Sequence, residues 1–148
     1  MPVEASEAVE REIRIDARPE TVFEFFTQPE LMLRWKGVDA TLEPVPGGAY
    51  RVKMNARNTV IGKYVEVEPP RRVVFTWGFD GDDAIVGPGE STVEVTLTPD
   101  GDGTLLRLVH AGLGGDARAP HERGWVHYLE RLALAAAGGD PGPDEWAT

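Results

Sequence analysis

Between Val38 and His110 the chain switches between apolar and polar residues at every second position, in one run after another. That period belongs to strands with one buried face and one wetted face. The runs are Val38, Ala40, Leu42; Tyr50, Val52, Met54; Val60 to Glu68; Val73, Phe75, Trp77, Phe79; Val93, Val95, Leu97; and Leu106, Leu108, His110. They are joined by short connections such as Pro46-Gly47-Gly48, Asn55 to Asn58, Pro69-Pro70 and Pro99 to Gly103, which favour antiparallel neighbours. An earlier run, Val9, Arg11, Ile13 and Ile15, has the same alternation. Asp80 to Glu90 is an acidic, glycine-rich loop.

Helical spacing occurs in two places. After the first strand, Pro19 is suited to a first helical turn, and Val22, Phe23, Phe25 and Phe26 predict a short helix over Glu20 to Thr27, buried on most sides. Pro29 stops it, and Leu31, Met32 and Trp35 predict a second short helix over Glu30 to Trp35. Beyond a predicted loop from Ala111 to Pro120, the residues Trp125, Tyr128, Leu129, Leu132 and Ala136 fall on one face of a long helix, which Gly138-Gly139 ends. The order predicts an α+β fold. A curved antiparallel sheet of about six to seven strands needs its apolar face covered, and only the long C-terminal helix is large enough to do so. The two short helices after the first strand would plug one end. The 148 residues then form a single domain, with a core over roughly 8–137 and a Pro/Gly/Asp-rich tail over 138–148.

Charge and composition remove several function classes. Lys and Arg number 15 against 25 Asp and Glu, a net charge of −10, so neither nucleic acid nor an anionic membrane surface is an expected partner. The absence of cysteine excludes a disulfide framework, a thiolate metal site and a cysteine nucleophile. The longest apolar run, Leu132 to Ala137, is far too short to insert in a membrane, and the start of the chain is acidic where a secretory leader would be basic. Cytoplasm is the expected location.

Motif chemistry is sparse. Ser6 and Ser91 lie outside any Gly-x-Ser-x-Gly elbow, and the glycine clusters lack the Lys–Ser/Thr pair of a phosphate loop. Asp80, Asp82 and Asp83 lack the twelve-residue calcium pattern, and His121 and His127 are six apart, off a common helix face. No metal and no cofactor is expected, and Arg71-Arg72 reads as part of a turn. His110, inward by alternation with Leu106 and Leu108, is a candidate hydrogen-bonding handle or acid/base, set against the plainer reading of a satisfied structural histidine. The aromatic face of Phe75, Trp77 and Phe79 opposite Trp125 and Tyr128 could line a ligand cavity or fill the interior, and Gly124 is expected to leave space there.

One stretch is more specific. Gly62-Lys63-Tyr64-Val65-Glu66-Val67-Glu68-Pro69-Pro70-Arg71-Arg72-Val73-Val74-Phe75-Thr76-Trp77 resembles the central signature of the SRPBCC superfamily. More narrowly, it resembles the branch related to the carboxy-terminal domain of the heat-shock-protein-90 ATPase activator, in its bacterial stand-alone form. Pro19 to Phe23, Leu33-Arg34-Trp35, Pro46 to Tyr50, Gly103 to His110, Gly124-Trp125 and the tail Asp140 to Trp146 match in the same order, so the similarity covers roughly residues 8 to 146. The resemblance implies a helix-grip fold, as in birch-pollen allergens and START domains, around a mostly apolar cavity. It implies no fixed reaction.

The resulting expectation is a non-enzymatic or weakly catalytic binding protein for a hydrophobic small molecule (lipid, polyketide-like or aromatic). Trp35, Tyr50, Val52, Phe75, Trp77, His110, Trp125, Tyr128 and Leu129 are the expected walls, with Tyr50 and His110 orienting the guest. Two alternatives stand beside it: a cyclase or hydrolase-like enzyme using His110 or Tyr50 as acid/base, and a chaperone-associated interaction module. A homodimer through a sheet edge or the tail is compatible with either. The strand from Val60 to Glu68 is ambiguous, with Ile61, Val65 and Val67 on one face and Tyr64 on the other.

Overall fold

The computed structural model describes residues 8–81 and 86–147. Seven strands form one antiparallel sheet: β1 (Val9–Ile15), β2 (Asp39–Leu42), β3 (Ala49–Lys53), β4 (Thr59–Glu68), β5 (Arg72–Trp77), β6 (Ser91–Asp100) and β7 (Gly103–Ala111). Their spatial order is β1-β7-β6-β5-β4-β3-β2. Each strand from β2 to β7 therefore lies beside its neighbour in sequence, the usual arrangement of consecutive antiparallel strands, and β1 pairs with β7. The helices are α1 (Pro19–Glu24), α2 (Pro29–Met32) and α3 (Gly115–Ala136). The α+β architecture expected from the alternating runs, in the helix-grip form that the resemblance implies, is the one observed.

Proline places both short helices. Pro19 and Pro29 each stand in a first turn, where the missing N–H has no intrahelical acceptor to lose. Gln28, ahead of Pro29, is extended, because proline disfavours helical backbone in the residue before it.

α3 begins earlier than the sequence reading puts it. The helix starts at Gly115 and includes Pro120, where a loop up to Pro120 was expected. Pro120 removes one donor from the second turn, and the imidazole Nδ1–H of His121 donates to Ala117 O in the same turn at 2.8 Å. The other end is as expected. Gly138 has φ +92°, Gly138 N–H donates to Ala135 O at 3.1 Å, and Gly139 N–H donates to Leu134 O at 2.8 Å. That is the left-handed glycine stop, which a side chain at residue 138 would strain.

β4 resolves its ambiguity through a bulge. The register with β5 shifts between Tyr64 and Glu66, so Tyr64 points inward at 1% exposure while Val65 is 49% exposed. Gly62, on the same strand, is a close-approach glycine, since a Cβ there would overlap the Thr76 carbonyl. The β5 ladder stops at Trp77, and Phe79 carries on as an isolated bridge to Val60. Asp82 and Asp83 of the acidic loop lie outside the described residues.

The inner face of the sheet packs on α3 through Trp125, Leu129 and Leu132, and on α1, α2 and the turn between them through Phe23, Phe26 and Met32. On the outer face Arg72 links neighbouring strands, with Nε 2.8 Å from Glu66 and Nη2 3.0 Å from Glu94. Such exposed pairs contribute about 0–1 kcal/mol each. The tail folds back on α3, where Trp146 stacks on His127 at 4.1 Å and His127 Nε2 lies 2.8 Å from Asp144 Oδ1.

Candidate functional site

Helical backbone persists past α2 as a turn in which Lys36 N–H donates to Met32 O at 2.9 Å. Lys36 therefore shares the buried side of Met32, one turn on. Gly37 then reverses the chain with φ +87°, and Val52 leaves no room for a Cβ there. Trp35 is locked in place, its indole N–H donating to Phe25 O at 3.0 Å and its carbonyl accepting from Arg131 Nε at 3.1 Å. The outcome is a lysine that is 1% exposed in the middle of the fold.

Around its amine stand four rings. Lys36 Nζ lies 4.9 Å from the centroid of Trp35, 5.4 Å from Tyr50, 4.8 Å from Trp77 and 5.1 Å from Trp125. Nζ donates to the Tyr50 hydroxyl at 2.7 Å. Among the described residues, no salt bridge joins it to a carboxylate. Burial alone lowers the Lys36 amine to about 7, since a charge removed from water without a counter-charge favours its neutral form. The Tyr50 phenol is raised well above its ordinary value, by burial first and then by Tyr64.

The sheet supplies the wall behind the amine. Register aligns Tyr64, Phe75, Val93, His110 and Val9 in one row across five strands. Tyr50 stacks on Phe75 at 4.1 Å and 13° and meets Tyr64 edge-on at 5.6 Å. Tyr64 donates its hydroxyl to Phe26 O at 2.8 Å.

His110 closes one side, and its hydrogen bonds fix its state. Trp125 Nε1–H donates to His110 Nδ1 at 3.0 Å, so Nδ1 carries no proton. His110 Nε2–H then donates to Ser91 Oγ at 2.8 Å, and the Ser91 hydroxyl in turn donates to Trp77 O at 2.8 Å. This is the reverse of a nucleophile and its base, where the histidine must accept from serine. Burial, then His121 and Lys36, lower His110 to about 3. His121 lies beside it at 5.2 Å, accepts from Trp77 Nε1–H at 3.3 Å, and is lowered by burial.

Of the residues expected to form the walls, Trp35, Tyr50, Phe75, Trp77, His110 and Trp125 converge around Lys36. Val52, Leu129 and Tyr128 are buried as well. The Tyr128 ring, however, contacts His127 at 4.7 Å and Trp146 at 5.8 Å, on the tail side. Gly124 also differs from expectation. A Cβ there would meet only Trp146, at 4.0 Å, so this glycine makes room for the tail and not for the interior. Lys36, Ser91, His121 and Tyr64 belong to the cluster and were absent from the expected walls. The spacing of Lys36 from Met32 was the one signal that could have found the lysine. A separate groove of about 440 Å³, bordered by Arg18, Pro70, Arg71, Leu97 and Pro99, lies toward the turn of the β6–β7 hairpin, at the far end from His110. Among the described residues no group of acidic or histidine side chains could hold a metal ion, and no helix is long and apolar enough to cross a membrane.

Comparison with known proteins places this geometry. The family described as "Activator of Hsp90 ATPase homolog 1-like protein" matches residues 16–137. An AHSA1-like protein from Rhizobium etli, solved in solution, is 45% identical over 95% of this chain and 88% of its own, with a TM-score of 0.73. DynU16, described as a putative protein in the dynemicin biosynthetic locus, is 28% identical over 94% of this chain with a TM-score of 0.80, and this chain spans 50% of DynU16. CalU16 from Micromonospora echinospora is 27% identical over 88% of this chain and 76% of its own, with a TM-score of 0.72. No curated protein matches.

Proposed function

The chain belongs to the activator of Hsp90 ATPase homolog 1-like family, and on that premise we propose that it binds a ring-containing, largely apolar small molecule between the sheet and α3. The observation that carries this reading is a single polar handle, Lys36 with Tyr50, set among Trp35, Trp77 and Trp125. Apolar walls with a few convergent polar groups are the usual make-up of small-molecule sites. A core built only for stability has no reason to bury an amine without a counter-charge, because that costs several kcal/mol. DynU16, with a similar fold, comes from a biosynthetic locus, which fits a role in handling an organic molecule.

The hydrogen bonds weigh against His110 as an acid or base. Both ring nitrogens are committed, and its low proton affinity leaves it neutral at ordinary pH. A binding role needs neither nitrogen free. Native mass spectrometry of the purified full chain tests the proposal. A co-purifying organic mass, or saturable uptake of an aromatic probe quenching the tryptophans, is the expected result. Absence of both refutes it.

A further inference from the structure

Resting on that reading, we infer that the guest is an anion: the site takes an aromatic acid (a carboxylate, sulfonate or phenolate on a ring system), with its charged group on Lys36 Nζ beside the Tyr50 hydroxyl.

Two donors converge without an acceptor. Lys36 Nζ carries more hydrogens than the one given to Tyr50. The Tyr50 hydroxyl accepts that hydrogen and, among the described residues, donates its own to none. An anionic oxygen placed between them takes an N–H from one and the O–H from the other, and these charge-assisted hydrogen bonds are the strong kind. The anion also supplies the counter-charge that the fold withholds.

The surroundings are neutral. The titratable groups facing the amine are Tyr50 from β3, with Tyr64 behind it on β4, His110 from β7 and His121 from α3. Burial holds both phenols protonated and both imidazoles neutral. No negative charge among them repels an anion, and burial brings the Lys36 amine down to about 7. The four ring faces suit a flat guest in place of an aliphatic one. Lys36 is 1% exposed, so a guest reaches it by displacing rings. Trp77 and Trp125 keep 5% and 3% exposure, and half-buried Phe79 and His121 lie beyond Trp77, which marks that side as the route.

A matched probe pair tests the inference. Anilinonaphthalene sulfonate and phenylnaphthylamine share a ring skeleton and differ in one anionic group. The wild-type protein should bind the sulfonate more tightly than the amine at about pH 6, and its affinity should fall about tenfold per pH unit above about pH 7, while the uncharged probe shows no such slope. Lys36→Met should weaken the sulfonate at least tenfold and leave the uncharged probe within about twofold. The wild-type slope stands even if that variant does not fold. Equal binding of the two probes without a pH slope overturns the anionic guest and leaves the apolar site standing. Binding of neither probe overturns both.

Discussion

Trp125 donates its indole N–H to His110 Nδ1 at 3.0 Å, across the seam between α3 and β7. That bond ties the long helix to the sheet and sets the tautomer of the histidine. Removing the imidazole leaves a buried indole N–H unpaired and takes a donor from Ser91. His110→Ala should therefore lower unfolding free energy by ~3 kcal/mol, read by urea denaturation. A loss below ~1 kcal/mol would mean that the network is not formed.

The same histidine makes stability depend on pH. Its folded proton affinity is depressed to about 3 from 6.5, so the unfolded chain binds the extra proton. Its contribution is complete above about pH 6.5 and is lost as pH falls toward about 3, at up to roughly 1.4 kcal/mol per pH unit. Comparing wild-type and His110→Phe denaturation across that window checks this. The variant should show the shallower acid slope.

Burying Lys36 costs the fold stability. Its amine is depressed to about 7 from 10.5 by burial alone. Lys36→Met should thus raise stability by a few kcal/mol, on the order seen when buried charges are replaced by apolar side chains. The gain should be largest at and below about pH 7 and shrink toward about pH 10.5, at roughly 1.4 kcal/mol per pH unit. Thermal melts of the two proteins at several pH values settle the sign. A destabilised variant at about pH 7 would contradict an uncompensated amine.

The tail is separable from the interior. Trp146 stacks on His127 and covers Gly124. Gly124→Leu and Trp146→Ala should each cost ~1 kcal/mol, loosen the tail to proteolysis and leave probe binding unchanged. Loss of binding in Gly124→Leu would instead tie that glycine to the interior.

Most of the sheet was legible because half-buried strands alternate, and each run from β3 to β7 is found within a few residues of its expected place. The start of α3 was not, since Pro120 reads as a stop, yet it stands in a second turn flanked by Ala117, Arg118 and Ala119. Tyr64 was ambiguous because a bulge breaks the period on which the reading relied. The Ser91–His110 pair depends on strand register over 19 residues, which no local pattern encodes. Lys36 is hidden from a reading by residue type, because lysine is rarely fully buried. Its helical offset from Met32 pointed inward all along.

The four tryptophans allow one decisive measurement. Indole N–H resonances of Trp35, Trp77, Trp125 and Trp146 can be followed by heteronuclear NMR while phenylnaphthylamine is added. A guest between the sheet and α3 shifts Trp77 and Trp125 most, with Trp35 following, and leaves Trp146 in place. A titration that moves Trp146 alone, or no indole at all, contradicts an interior binding site.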